Sequence, residues 1–138
     1  MVHHFHYQNG RLHAEDVDLS ALANEIGTPF YCYSSATFRR HVRVMREAFD
    51  GRDTVLAYAM KANSNQAILK LIASEGGGAD VVSLGELERA LRAGITPEKI
   101  VFSGVAKTRE EMARGLEAGI LCFNVESEPE LERLDRVA

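Results

Sequence analysis

The sequence has little of what several common functions require. It holds only two cysteines, Cys32 and Cys122, each inside an apolar strand-like run (Pro29-Phe30-Tyr31-Cys32-Tyr33 and Ile120-Leu121-Cys122-Phe123). The pair predicts buried free thiols, not a disulfide or a nucleophile. Positive charge is not in excess: 16 Lys and Arg stand against 20 Asp and Glu, a formal net charge of -4 with no basic stripe. No nucleic-acid partner is expected. No apolar run approaches the roughly 20 residues needed to cross a bilayer, so no membrane partner is expected either. No basic-then-apolar leader precedes the body, which predicts a cytoplasmic protein. Neither a Walker-type loop nor a Gly-x-Gly-x-x-Gly turn occurs. His3, His4 and His6 have no carboxylate or thiol beside them, so a solvated or strand-alternating face is expected and no metal site.

What is present is the composition of an ordinary globular chain, 46% hydrophobic and 26% charged over 138 residues. That is enough for one core. Asn9-Gly10 between short apolar-containing runs predicts a type I′ hairpin over residues 5–13. Asp18 or Ser20 opens a short helix that Gly27 ends, and a strand is expected around residues 30–33. Ser34 or Ser35 then starts a longer helix with Phe38, Val42, Met45 and Phe49 at helical spacing.

From residue 55 the chain repeats. Strands are predicted near 55–60, 80–83, 100–103 and 121–125, each followed by a helical pattern. Gly76-Gly77-Gly78, Gly94 and Gly119 close the helices, where glycine supplies a left-handed cap. Ser83-x-x-Glu86, Thr108-x-x-Glu111 and Ser127-x-x-Glu130 read as capping boxes, with Pro129 in a first turn. Short strands apolar on both faces indicate a parallel sheet covered by helices. The pattern leaves a doubly wound sheet and a (β/α)8 barrel open. Four units are half of a barrel of about 250 residues. A half barrel leaves strand edges bare, which predicts a fragment or a chain that pairs with other material.

Lys61 follows the apolar run Val55-Leu56-Ala57-Tyr58-Ala59-Met60. In a parallel α/β protein the carboxyl ends of the strands gather at one rim, where the chemistry sits. An amine there suits Schiff-base chemistry with a carbonyl. Asp80 lies within an apolar strand, where a charge is costly unless paired. Glu86 follows it, either as a site carboxylate or only as the capping partner of Ser83. Ser103, Gly104, Asn124 and Glu126 end the remaining strands.

Tyr58-Ala59-Met60-Lys61-Ala62-Asn63-Ser64-Asn65 resembles the lysine motif of the fold-type III pyridoxal-phosphate decarboxylases. Gly78-Ala79-Asp80-Val81-Val82-Ser83-Leu84-Gly85-Glu86-Leu87, Ile100-Val101-Phe102-Ser103-Gly104-Val105-Ala106-Lys107-Thr108 and Phe123-Asn124-Val125-Glu126-Ser127 are similar to further motifs of that family, in the same order. The resemblance implies an α/β fold: the first half of a (β/α)8 TIM barrel over residues 34–138, preceded over residues 1–33 by strands that join a C-terminal β-domain. It implies pyridoxal 5'-phosphate as cofactor, Lys61 as the catalytic Schiff-base lysine, and Asp80 and Glu86 as cofactor-binding carboxylates. It also implies a small amino-acid substrate and a homodimer of the full-length protein. The stretch after the lysine and the Val-Val-Ser segment fit the ornithine and arginine branches less well than the branch that converts meso-2,6-diaminopimelate to L-lysine and CO2. A related ornithine- or arginine-type decarboxylase, a racemase and a non-catalytic fragment are the alternatives. Leu84 and Ala106 stand where the family usually has glycine. The family's stacking histidine, glycine-rich phosphate loop and substrate-binding arginines have no counterparts in residues 1–138, so these residues alone are expected to be inactive.

Overall fold

The computed structural model describes residues 3–138; Met1 and Val2, which open the expected N-terminal strand segment, lie outside the described residues. The chain forms two units, residues 1–41 and 42–138.

In the first unit β1 (Phe5–Gln8), β2 (Arg11–Ala14) and β3 (Val17–Asp18) make an antiparallel sheet in that order. Asn9 and Gly10 turn the hairpin with φ of 51° and 76°, the paired positive angles that a type I′ turn needs. Helix α1 (Leu19–Ile26) starts at Asp18, whose carboxylate accepts the Ser20 and Ala21 amides, and stops at Gly27. The alternative start at Ser20 is not used. Helix α2 (Ser35–Ala48) begins where the Ser34 hydroxyl accepts the Thr37 amide. Glu15, reaching over from the turn after β2, accepts the Ala36 amide at 3.0 Å and the Ser34 hydroxyl at 2.8 Å. The Ala36 N–H, together with the two serine hydroxyls, holds the Glu15 carboxyl below the usual carboxylate range. The strand expected at 30–33 does not form. The segment has no ladder partner among the described strands, and without one an apolar extended run is only extended. The predicted stripe on α2 holds at Val42, which is buried, but Met45 and Phe49 are exposed.

The second unit carries the repeat. Strands β4 (Ala57–Ala59), β5 (Gly78–Val81), β6 (Ile100–Phe102) and β7 (Cys122–Phe123) are all parallel and lie in chain order. Helices α3 (Gln66–Ser74), α4 (Leu84–Arg92), α5 (Arg109–Ala118) and α6 (Glu128–Asp135) follow them. A doubly wound sheet reverses its strand order at a switch point. Here no reversal occurs, and the unit is the first half of a (β/α)8 barrel. Its core is Met60, Leu69, Val81, Leu87, Ile100 and Phe102, each at most 1% exposed. Burying each such side chain contributes about 1.5–3 kcal/mol. Asn65 caps α3 by accepting the Ala67 amide, and Ile68, Leu69 and Ile72 bury one face of that helix.

Gly76, Gly94 and Gly119 take positive φ at the helix ends, as predicted. Gly78 has a different cause. A Cβ there would lie 2.0 Å from the Lys99 carbonyl oxygen, so β5 and the chain entering β6 approach too closely for any side chain. The thiols are free but not buried: Cys32 is half-buried and Cys122 is exposed. Strand β7 pairs only with β6 among the described strands, which leaves its apolar run less covered than its sequence suggests. No helix of the described residues is long and apolar enough to cross a membrane.

Candidate functional site

The strand ends form a rim built by register. Ala59 in β4 is opposite Asp80 in β5, and Asp80 is opposite Val101 in β6. Lys61 lies two residues past Ala59, in a single 3-10 turn over Met60–Ala62. Met60 is buried in the core, while Lys61 is exposed, with no hydrogen bond or ion pair to the described residues. The turn is held from both sides. The Tyr58 hydroxyl donates to the Asn63 carbonyl at 3.2 Å, and Arg89 in α4 donates to the Ser64 carbonyl at 3.2 Å.

Asp80 is the anomaly of β5. Its Oδ1 is buried and has no partner among the described residues. A buried carboxylate oxygen without a donor costs free energy, so the atom is poised for a ligand. Glu86, in the first turn of α4, accepts the Val82 amide through Oε2 at 2.8 Å, while the Ser83 hydroxyl accepts the Glu86 amide. Asp80 is set by register, Lys61 by the turn that follows β4, and Glu86 by the first turn of the helix that follows β5. An unengaged amine after one strand and a donor-starved carboxylate on the next fit a cofactor that offers an aldehyde and polar ring atoms.

Two features were missed in the sequence. Lys107 and Glu130 form an ion pair at 2.6 Å, 2% and 4% exposed. Lys107 also donates to the carbonyls of Gly104 and Asn124, both at 2.7 Å. Glu111 does more than close its own box, since it also accepts the Leu84 amide at 3.0 Å and so ties the α4 entry to α5. Burial pushes the Glu111 carboxyl up, but the amides of Thr108 and Leu84 outweigh it and leave the carboxyl lowered. At the rim, Asn124 donates to the Ser103 hydroxyl at 3.0 Å, and the Glu126 amide donates to Glu130.

The opposite end of the sheet is not a competing site. A cavity of about 680 Å³ there is lined by Arg43, Arg46, Arg52, Gly76 and Lys99 among others. Arg46 and Lys99 already donate to the carbonyls of Glu75 and Gly76. They act as cationic caps on the carboxyl end of α3.

A family model described as the pyridoxal-binding domain of pyridoxal-dependent decarboxylases matches residues 35–138. The chain belongs to that family. Among relatives of this decarboxylase family, the chain is 53% identical over 136 residues to a protein of Vibrio cholerae named diaminopimelate decarboxylase. That match covers 98% of this chain and 33% of the relative. A protein of the same name from Pseudomonas aeruginosa is 52% identical over 134 residues, covering 97% of this chain and 32% of the relative. The crystal structure of diaminopimelate decarboxylase from M. jannaschi superposes with a TM-score of 0.93 at 39% identity, over 97% of this chain and 32% of that one. The chain therefore spans about a third of the length of the curated relatives it matches.

Proposed function

We propose that the protein carrying this chain removes CO2 from the D-centre of meso-2,6-diaminopimelate to give L-lysine, as a pyridoxal-phosphate-dependent carboxy-lyase. The observation that supports the reading is the unpartnered, buried Asp80 oxygen on the strand next to the one that Lys61 follows, with Ala59 opposite Asp80 and Lys61 two residues beyond Ala59. The choice of substrate rests on the names of the relatives that are half identical over nearly the whole chain. When bound, pyridoxal phosphate supplies an electron sink for the charge left by the departing carboxyl group. The chain's own residues hold and orient it. Lys61 would hold the cofactor by its aldehyde through Nζ. Asp80 supplies the buried acceptor, and Glu86, anchored by one oxygen on the Val82 amide, keeps its second oxygen for the site. The stretch braced by Tyr58 and Arg89 would keep Lys61 in place at the strand end.

Residues 1–33 are read as strands of a β-domain and residues 34–138 as the barrel half that carries the lysine. A homodimer in the cytoplasm is part of the same reading.

The test uses the full-length protein. Borohydride reduction in the presence of pyridoxal phosphate is expected to fix the cofactor on the peptide containing Lys61, and Lys61→Ala to abolish the label. CO2 release is expected from meso-diaminopimelate and not from ornithine. A label on another lysine, or release from ornithine alone, would overturn the assignment.

A further inference from the structure

Lys107 has no part in the chemistry proposed above, yet it is the most completely engaged side chain at the rim. Its three ammonium protons go to three acceptors on three segments: the Gly104 carbonyl after β6, the Asn124 carbonyl after β7, and the Glu130 carboxylate in α6. An ammonium has three donors, so none is left over.

The loop that Lys107 holds lies against Val82, the residue that follows the strand carrying Asp80. Gly104 has φ of +87°, and a Cβ there would lie 3.2 Å from the Val82 Cβ. Val82 is two residues past Asp80, and its amide is bound by Glu86. Gly104 thus lies close against Val82, which is joined to Asp80 along the chain and to Glu86 through its amide.

A buried ion pair is by itself weak support for stability, because an apolar pair of similar volume often packs as well. An apolar pair could not, however, clamp two carbonyls from different loops at 2.7 Å. That distinction separates a fold-stabilising pair from one that sets geometry.

We propose that Lys107, locked by Glu130, is a positioning residue for the pyridoxal-phosphate site: it fixes the β6 and β7 loops and, through Gly104 and Val82, the placement of Asp80 and Glu86 relative to Lys61. The proposal rests on the functional reading above and adds a residue that touches neither cofactor nor substrate.

The test compares the full-length protein with the double variant Lys107→Met/Glu130→Met, which leaves no unpaired charge. Three quantities are read: the melting temperature without cofactor, amide hydrogen exchange over residues 104–107 and 124–126, and the Kd for pyridoxal phosphate by absorbance titration. The double variant is expected to stay folded, to exchange faster in both loops, and to bind the cofactor on the order of 10–100-fold more weakly, the scale at which outer-shell partners of a bound group act. A folded double variant with unchanged Kd overturns the proposal, even if its melting temperature falls. Should the double variant not fold, Glu130→Gln replaces it, since it keeps the shape and a hydrogen bond to Nζ. A severalfold rise in Kd then supports the proposal and an unchanged Kd overturns it. An unmodified protein that takes up no cofactor overturns the functional reading itself. An unmodified protein that binds it, beside an unaffected variant, overturns only the role of Lys107.

Discussion

Lys107 Nζ lies 2.6 Å from Glu130 Oε1, and both side chains are almost wholly withdrawn from water. Each charge gave up hydration to get there, and the cost is offset only because every polar atom finds a partner. Glu130 accepts Lys107 through one oxygen and the Glu126 amide through the other. Burial pushes its carboxyl up, but the Lys107 hydrogen bond, with help from the Glu126 amide, leaves the net displacement downward. A carboxylate with a lowered folded pKa contributes stability above its unfolded value of about 4.3 and loses it as pH falls through the folded value. Glu130→Ala leaves the ammonium buried and unpaired, which costs about 3–5 kcal/mol. Denaturant unfolding at neutral pH is expected to show that loss. The gap to the unmodified protein should narrow as pH falls below about 4.3, where the unfolded chain takes up the proton first, and further as pH passes the lower folded value.

The triple glycine Gly76-Gly77-Gly78 reads in sequence as one helix stop, and the structure divides its labour. Only Gly76 is left-handed, whereas Gly78 already belongs to β5 with the Lys99 carbonyl in the space of a side chain. Gly78→Ala must push two neighbouring backbones apart at the centre of the sheet. Overpacking of this kind costs about 1–3 kcal/mol, and backbone cannot yield as a side chain would, so the upper end is expected. Equilibrium unfolding of the variant measures it. A change of only a few tenths of a kcal/mol would refute the close approach.

Elements whose signal is local were legible in advance. Asn9-Gly10 forces its own turn, Asp18 caps its own helix, and the strand–helix repeat with glycine stops needs only short-range rules. The parallel alignment of β4 and β5, which puts Ala59 opposite Asp80, also follows from the repeat. What escaped depends on distant partners. Residues 30–33 look like a strand but pair with no described strand. Cys122 looks buried but sits on the strand paired on one side only. Lys107 and Glu130 are 23 positions apart, and nothing around either marks a buried ion pair. In sequence Glu130 reads as a capping partner, because three-residue spacing is visible and tertiary pairing is not.

Ala106 occupies a backbone position of φ +59°. A left-handed conformation costs an L-residue roughly 1–2 kcal/mol, and glycine escapes that cost at an entropic penalty of about 0.5–1 kcal/mol. The strain explains why the resemblance leads one to expect glycine here. Ala106 is exposed, so its methyl group contributes little packing to set against the strain. Ala106→Gly is expected to stabilise the protein by about 0.5–1 kcal/mol. A higher melting temperature would register it, and a lower one would contradict the argument.

The three hydroxyl-x-x-glutamate sequences are alike on paper and unlike in the fold, which separates their mutants. Thr108 and Glu111 form the complete reciprocal box at the start of α5. Ser83 accepts the Glu86 amide, but Glu86 reaches past it to the Val82 amide. Ser127 makes no side-chain cap bond, and the Glu130 carboxylate goes to Lys107 and to the Glu126 amide instead of the Ser127 amide. Removing a working N-cap hydroxyl costs about 1 kcal/mol. Thr108→Ala is therefore expected to lose about that amount, somewhat more if Glu111 then loosens its hold on the Leu84 amide. Ser127→Ala should stay within about 0.5 kcal/mol of the parent, as surface substitutions do. Parallel denaturant titrations of the two alanine variants provide the comparison. Equal losses would mean that Ser127 caps α6 after all, and that Glu130 is shared between its helix and Lys107.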